Sequence, residues 1–152
     1  MTGSVRQARA ELTIRADSRE ARRASAWLES AAAREGVPPD QVVRLDHCLD
    51  EALANVISHG GPDAVSASVM LQLGIHRGRG ICTAELLIVD EGLPFDPSVL
   101  PAGPAPRPAS LADASIGGLG LAMIRSFSDE LRYRRKDGRN HLAIRVSWTE
   151  TT

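Results

Sequence analysis

Apolar residues recur at helical spacing through the middle of the chain, at Leu45, Cys48, Leu49, Ala52, Leu53, Val56 and Ile57. This stripe predicts a long helix with one core-facing side. Pro38-Pro39-Asp40 would open it, and Gly60-Gly61 suits a left-handed stop. An earlier helix is predicted from Asp17, with Glu20 spaced as in a capping box, to about Arg34. It turns Ala21, Ala24, Leu28, Ala31 and Ala32 inward, and Gly36 closes it. Before it, Glu11 to Ala16 read as a short strand around Leu12 and Ile14. After the central helix, Val65, Ala67, Val69, Leu71, Leu73 and Ile75 alternate with mostly polar residues, the period of a strand. Arg77 to Gly80 form a turn, and Ile81 to Asp90 a second strand whose Leu86-Leu87-Ile88-Val89 is apolar on both faces. Such a strand predicts helices on one side and a ligand or lid on the other. A helix is predicted from Ala122 to Ser128 and a strand from Leu131 to Lys136. Asp137-Gly138 is a hairpin signal, and the last strand runs from His141 to Trp148.

The order is strand, two helices, two strands, a long loop, a helix and two strands. It reads as α+β, a mostly antiparallel sheet covered by helices. The length of 152 residues fits one domain. An apolar share of 43% and a charged share of 24% are ordinary for a globular protein. A net charge of −1 gives no electrostatic reason to expect nucleic acid. No stretch is apolar and long enough for a membrane span, and Met1 to Ala10 has no apolar core of a signal peptide, so a cytoplasmic protein is expected. Cys48 and Cys82 each sit in an apolar periodic run and read as small core residues.

Candidate chemistry sits in three places. On the central helix, His47, Glu51, Asn55 and His59 stand four residues apart and line up on one face. Glu51 could accept a proton, and the carbonyl oxygen of Asn55 is a hard ligand suited to Mg²⁺. A Glu and an Asn at this spacing also describe ordinary solvated helix surface. Asp90 ends a buried strand, where a carboxylate needs hydrogen bonds. It is either a turn former before Gly92 or an acceptor for an exocyclic amine such as that of adenine, with Gly92 letting a base approach the backbone. Gly117-Gly118-Leu119-Gly120 precedes a helix, where free backbone N–H groups favour phosphate, although the same run also suits a flexible hinge. It matches neither a Walker loop nor a dinucleotide fingerprint. Between the second and third places, the stretch from Pro97 to Ser115 holds five of the nine prolines, a composition typical of lids or disordered segments.

Together these stretches resemble the GHKL ATP-binding superfamily. E-x-x-x-N on a helix, D-x-G-x-x-F-D after a strand, then a proline-rich lid and G-G-x-G-L before a helix are similar to its N, G1 and G2 boxes, in the family order. The match is best to the small anti-sigma-factor serine/threonine kinases. These share D-x-G-x-P-F-D and a closing D-E-L-x-Y-x-x-x-D-G-x-x-L-x-I, here Asp129 to Ile144. The resemblance implies a Bergerat fold, a two-layer sandwich with a mixed, mostly antiparallel sheet of about five strands covered by about three helices. It implies that Glu51 is the general base, that Asn55 ligates Mg²⁺, and that Asp90, with Gly92 beside it, reads the adenine of ATP. Gly118, Leu119 and Gly120 would line the phosphates, and residues 97–115 would be the lid. The implied activity is ATP-dependent phosphorylation of a STAS-domain anti-sigma-factor antagonist, together with sequestration of a sigma factor and, as relatives often show, homodimer formation. Two rivals stand beside it: a nucleotide-dependent binding module with little catalysis, and the detached ATP-binding domain of a histidine kinase. The chain leaves no room for the latter's helical hairpin with a phosphoacceptor His. His47 and His59 read as pocket or cap residues.

Overall fold

The computed structural model describes residues 6–59, 61, 67–96 and 124–150. Seven elements follow in chain order: β1 (Arg6–Arg15), α1 (Ser18–Arg34), α2 (Pro39–His59), β2 (Ser68–Arg77), β3 (Ile81–Asp90), β4 (Glu130–Lys136) and β5 (Arg139–Thr149). A further helical turn covers residues 124–127. The strands form one five-stranded sheet in the order β1-β2-β3-β5-β4. Every pairing among the described residues is antiparallel, where a mixed sheet was expected.

Local chemistry accounts for the element ends. Asp17 is extended and accepts from the backbone N–H of Glu20 at 2.8 Å, capping α1. The reciprocal half of the predicted capping box is missing, because the Glu20 carboxylate pairs with Arg23 instead. Gly36 takes a left-handed φ of 73° just beyond α1, and Pro39 occupies the first position of α2. Asp137 and Gly138, at φ 53° and 74°, make the tight turn between β4 and β5. The strand β1 starts earlier than its apolar pattern suggested, because Ala8 and Ala10 continue the inward alternation opposite Ile75 and Leu73.

One face of the sheet carries the core. Val69, Leu71, Leu73 and Ile75 of β2, Ala84, Leu86 and Ile88 of β3, and Ile144 and Val146 of β5 are all buried beneath α1 and α2. The helices meet these rows with Ala24, Leu28, Leu45, Leu49, Ala52 and Leu53. Cys48 and Cys82 are buried free thiols in this core, and burial pushes the Cys48 thiol up to about 12. Ile57, expected in the apolar stripe of α2, is 37% exposed, since the last turn of the helix runs past the core. The edge strand β4 is mostly exposed and carries Arg132, Arg134, Arg135 and Lys136, a charged margin that resists edge pairing.

Three polar ties fasten the helices to the sheet and to each other. Ser25 donates to Asp46 at 2.6 Å, joining α1 to α2. Arg77 at the end of β2 holds both the Glu35 carbonyl after α1 and the Glu150 carboxylate. Arg44 of α2 pairs with Asp129 at 3.0 Å, while the same carboxylate accepts from the Ser147 N–H of β5 at 2.7 Å. The Arg44 guanidinium, then the Ser147 N–H, hold the Asp129 carboxyl below its ordinary value. Its folded-state value lies under its unfolded one, so the stabilisation exists above the usual carboxylate range and fades as pH falls through the folded value. Asp129→Asn should therefore cost stability near neutral pH, by about 0.5–1 kcal/mol because the pair is partly exposed and screened. Urea unfolding of both proteins across pH should show this difference shrinking below pH of about 4.

Candidate functional site

The C-terminal half of α2 lies over the end of β3. Ala52, Asn55 and Val56 from the helix meet Ile88 and Asp90 from the strand around a small cavity. Leu93 and Phe95 after β3, with Tyr133, Asn140 and Leu142 of the β4–β5 hairpin, complete its lining. The cavity is about 30 Å³, room for on the order of two water molecules. A larger concavity, about 330 Å³, lies on the outer face of the sheet among Arg9, Gln72, His76, Thr83, Glu85 and Arg145. It holds none of the residues singled out from the sequence and is a wide groove on a polar surface. The candidate residues Asn55 and Asp90 meet at the smaller cavity. The ligand face expected opposite the helices is thus corrected: even-numbered residues of β3 face the helices, and Asp90 is in phase with them. Leu87 on the outer face is only half-buried.

Along one face of α2, burial deepens toward the cavity. His47 is exposed, Glu51 half-buried and Asn55 only 5% exposed. The sequence placed these residues in a line, and the structure runs that line from solvent into the interior. Glu51 Oε2 is buried and has no hydrogen-bond partner among the described residues. Burial first, then the neighbouring Asp50, raise the Glu51 carboxyl above its ordinary value, while His47 opposes them. The His47 ring stacks on Phe127, with centroids 5.2 Å apart and planes 17° from parallel. Ile124 is fully buried, and its carbonyl receives the Cys48 thiol at 3.8 Å. The helical turn that follows the glycine-rich run therefore docks on α2 beside Glu51.

Asp90 is 7% exposed. Its Oδ1 accepts from the Gly92 N–H at 2.8 Å, an Asx-type turn, and from Asn140 Nδ2 at 3.0 Å. Gly92 is buried and adopts no left-handed φ, so the turn uses its N–H group. The turn reading of Asp90 holds, and the residue also lines the cavity. Asn140 was not singled out from the sequence. Its signal was available: it falls in phase with Leu142, Ile144, Val146 and Trp148, an amide at a core position of β5. Gly118, Leu119, Gly120 and the stretch 97–115 lie outside the described residues, as do Gly60 and Val65. So does the side chain of His59.

A sequence profile described as "Histidine kinase-like ATPase domain" matches residues 14–146. The serine/threonine-protein kinase BtrW of Bordetella bronchiseptica is 37% identical over 118 residues, covering 78% of this chain and 79% of that protein. The serine-protein kinase RsbW of Bacillus subtilis is 27% identical over 125 residues, covering 81% of this chain and 72% of that protein. The solved structure of the RsbU and RsbW domains of Rv1364c from Mycobacterium tuberculosis superposes with a TM-score of 0.56 at 18% identity, a likeness of fold. That superposition covers 91% of this chain but only 32% of the other, so this chain spans about a third of its length. No helix among the described residues is long and apolar enough to cross a membrane.

The raised Glu51 carboxyl carries a stability consequence. A carboxylate whose folded value exceeds its unfolded one opposes folding once pH is high enough to ionise it, and that cost vanishes in acid. Glu51→Gln should therefore leave the fold as stable as the parent, or more stable, at pH 7–8. Thermal melts at falling pH should show the advantage shrinking through the carboxylate range. A Gln variant less stable than the parent at pH 8 would mean that the ionised Glu51 is satisfied in the fold.

Proposed function

Because the chain belongs to the histidine kinase-like ATPase domain family, on the branch that holds BtrW and RsbW, we propose that it is an ATP-dependent protein serine/threonine kinase acting on a STAS-domain anti-sigma-factor antagonist. In the same reading it sequesters a sigma factor in the cytoplasm, switching partners as the antagonist is modified, and it works as one domain over residues 1–152 with a lid at 97–115. The observation that carries the proposal is the convergence of Asn55 and Asp90, from separate elements, on one cavity.

Each residue has a role in this reading. Asp90 accepts from the exocyclic amine of adenine, and Gly92 holds its carboxylate in place. Gly118, Leu119 and Gly120 line the phosphates with backbone N–H groups. The cavity is smaller than a purine, so Leu93 or Phe95 must shift to admit the base. The donor set suits Mg²⁺. Asn55 offers one hard oxygen from a nearly buried side chain, and no group of three His, Cys, Asp or Glu gathers among the described residues as a dedicated cage. At kinase and ATPase sites Mg²⁺ is bound by few protein oxygens together with substrate phosphates and waters, rather than by a dedicated protein cage. When bound, Mg²⁺ would offset phosphate charge. Glu51 takes the proton of the attacking Ser or Thr hydroxyl as its oxygen bonds to the γ-phosphorus and ADP departs. Its unpartnered Oε2 and raised carboxyl fit a base whose proton affinity lies nearer working pH than that of a solvated Glu.

Two variants separate binding from chemistry. Asn55→Ala should lose Mg²⁺-dependent ATP affinity and all phosphotransfer. Glu51→Gln should keep ATP affinity while transfer to STAS-fold proteins falls by about 10²- to 10⁴-fold. The measurements are calorimetric ATP binding and transfer of label from radiolabelled ATP, on the same preparations. ATP binding with no transfer by the parent protein to any STAS-fold partner of its genome would support a nucleotide-dependent binding module instead. Full transfer by Glu51→Gln would remove Glu51 from the chemistry.

A further inference from the structure

At the end of the sheet, three side chains from three adjacent strands stand in one row. Asp90 of β3 is registered opposite Asn140 of β5, and Asn140 opposite Arg135 of β4. The Asn140 amide is 5% exposed and every one of its hydrogen-bonding positions is used. Its Oδ1 accepts from the Tyr133 hydroxyl at 2.5 Å and from Arg135 Nη1 at 3.1 Å. Its Nδ2 donates to Asp90 Oδ1 at 3.0 Å and to the Leu93 carbonyl at 2.8 Å. An amide can in principle face either way, but these partners leave one choice. A guanidinium only donates, so the side facing Arg135 must be the oxygen. A carbonyl only accepts, so the side facing Leu93 must be the nitrogen. Reversal would set N–H against N–H and oxygen against oxygen, leaving buried groups unpaired.

The fixed amide has a consequence for Asp90. Both donors that reach its carboxylate among the described residues, the Gly92 N–H and Asn140 Nδ2, go to Oδ1. Neither goes to Oδ2, which in this reading is the acceptor for whatever fills the cavity that Asp90 lines. Asn140 also stands between Asp90 and Arg135 in the row, so the guanidinium spends its contact on the Gly92 carbonyl, at 2.6 Å, and on Asn140. Without the amide in that place, Arg135 has a path to the carboxylate and would fill the acceptor that the ligand needs.

We infer that Asn140 is a positioning residue that sets base specificity, holding Asp90 as a one-sided acceptor and screening it from Arg135, with Tyr133 fixing the sense of the amide. This rests on the nucleotide reading of the cavity. A purine with an amine at its six-position donates to Oδ2 and is accepted. A six-oxo purine places an oxygen against it and is rejected. The four-residue arrangement thus discriminates adenine from guanine through groups that do not all touch the base.

The test is the ratio of ATP to GTP affinity, measured by calorimetry with Mg²⁺ on the full chain. The parent should prefer ATP. Asn140→Leu, similar in size but without hydrogen bonds, should lose ATP affinity by about tenfold or more while GTP affinity changes little, since losing a hydrogen bond to a charged group is worth about that factor. Tyr133→Phe, a milder change that keeps the amide, should narrow the ratio by a smaller factor of about two to five. It also serves if Asn140→Leu does not fold. An equal loss of both nucleotides in the variants would make the row a plain staple for the hairpin and overturn the inference. A parent that binds ATP and GTP alike would overturn it while leaving nucleotide binding intact. A parent that binds neither would take the nucleotide reading down with it.

Discussion

A carboxylate at the end of a core strand costs several kcal/mol unless donors meet it inside the protein. Asp90 is such a group, 7% exposed and in phase with Leu86 and Ile88. One donor is local, the Gly92 N–H two residues on. The other must come from a neighbouring strand, and here the sheet order matters. The strand that follows in sequence, β4, goes to the edge, and β5 folds back between it and β3. That crossing sets Asn140 beside Asp90, and the tight turn at Asp137-Gly138 sets Tyr133 and Arg135 beside Asn140. Had β4 paired with β3 directly, its exposed basic row would have met the carboxylate instead.

The helix α2 satisfies a second constraint, because it has to be core and site along the same length. Leu45, Cys48, Leu49, Ala52 and Leu53 are buried against the sheet, which leaves a neighbouring face for His47, Glu51 and Asn55. The helix axis is fixed mainly by the packing of those apolar residues. Their relative placement is therefore set by helical geometry, at one turn apart, and by how the helix is pinned. Ser25 pins it from α1, and Asp129, through Arg44, pins it from the end of β5. Sites carried on rigid elements hold their geometry better than sites on loops.

Local pattern made much of this legible. The bounds of β3, the caps of α1, the Pro39 start of α2 and the hairpin turn all follow from periodicity and turn chemistry, and the structure has them there. The candidate residues Glu51, Asn55, Asp90 and Gly92 were likewise readable, since two sit on a helix face and two at a strand end. What the sequence withheld depends on register and on neighbours. A ligand or lid was expected on the face of β3 away from the helices because Leu87 and Val89 are apolar too, which hides the phase of the strand. Asn140 was passed over because only strand pairing shows what an inward amide meets. The first residues of β1 were missed because alanines at residues 8 and 10 give a weak period, and pairing with β2 decides them. Asp129, read only as part of a motif, turns out to be a tie between α2 and β5.

The two carboxylates at the site are treated in opposite ways, and the difference is informative. Asp90 has its donors, in a network where each amide position is used. Glu51 has an oxygen that is buried and unpartnered among the described residues, with a like charge at Asp50 next to it. A fold selected for stability alone would satisfy Glu51 or replace it, because an unpaired buried acceptor is a cost with no structural return. Recognition needs an acceptor held in one place, which the Gly92 N–H and the Asn140 amide provide. Proton transfer needs a group whose two protonation states lie close in free energy, and burial without partners moves a carboxylate in that direction. In the proposed reading, the arrangement at Asp90 serves to read a ligand and the arrangement at Glu51 serves to move a proton. Local rules of satisfaction are obeyed at the first and broken at the second, and breaches of that kind gather where a protein does chemistry.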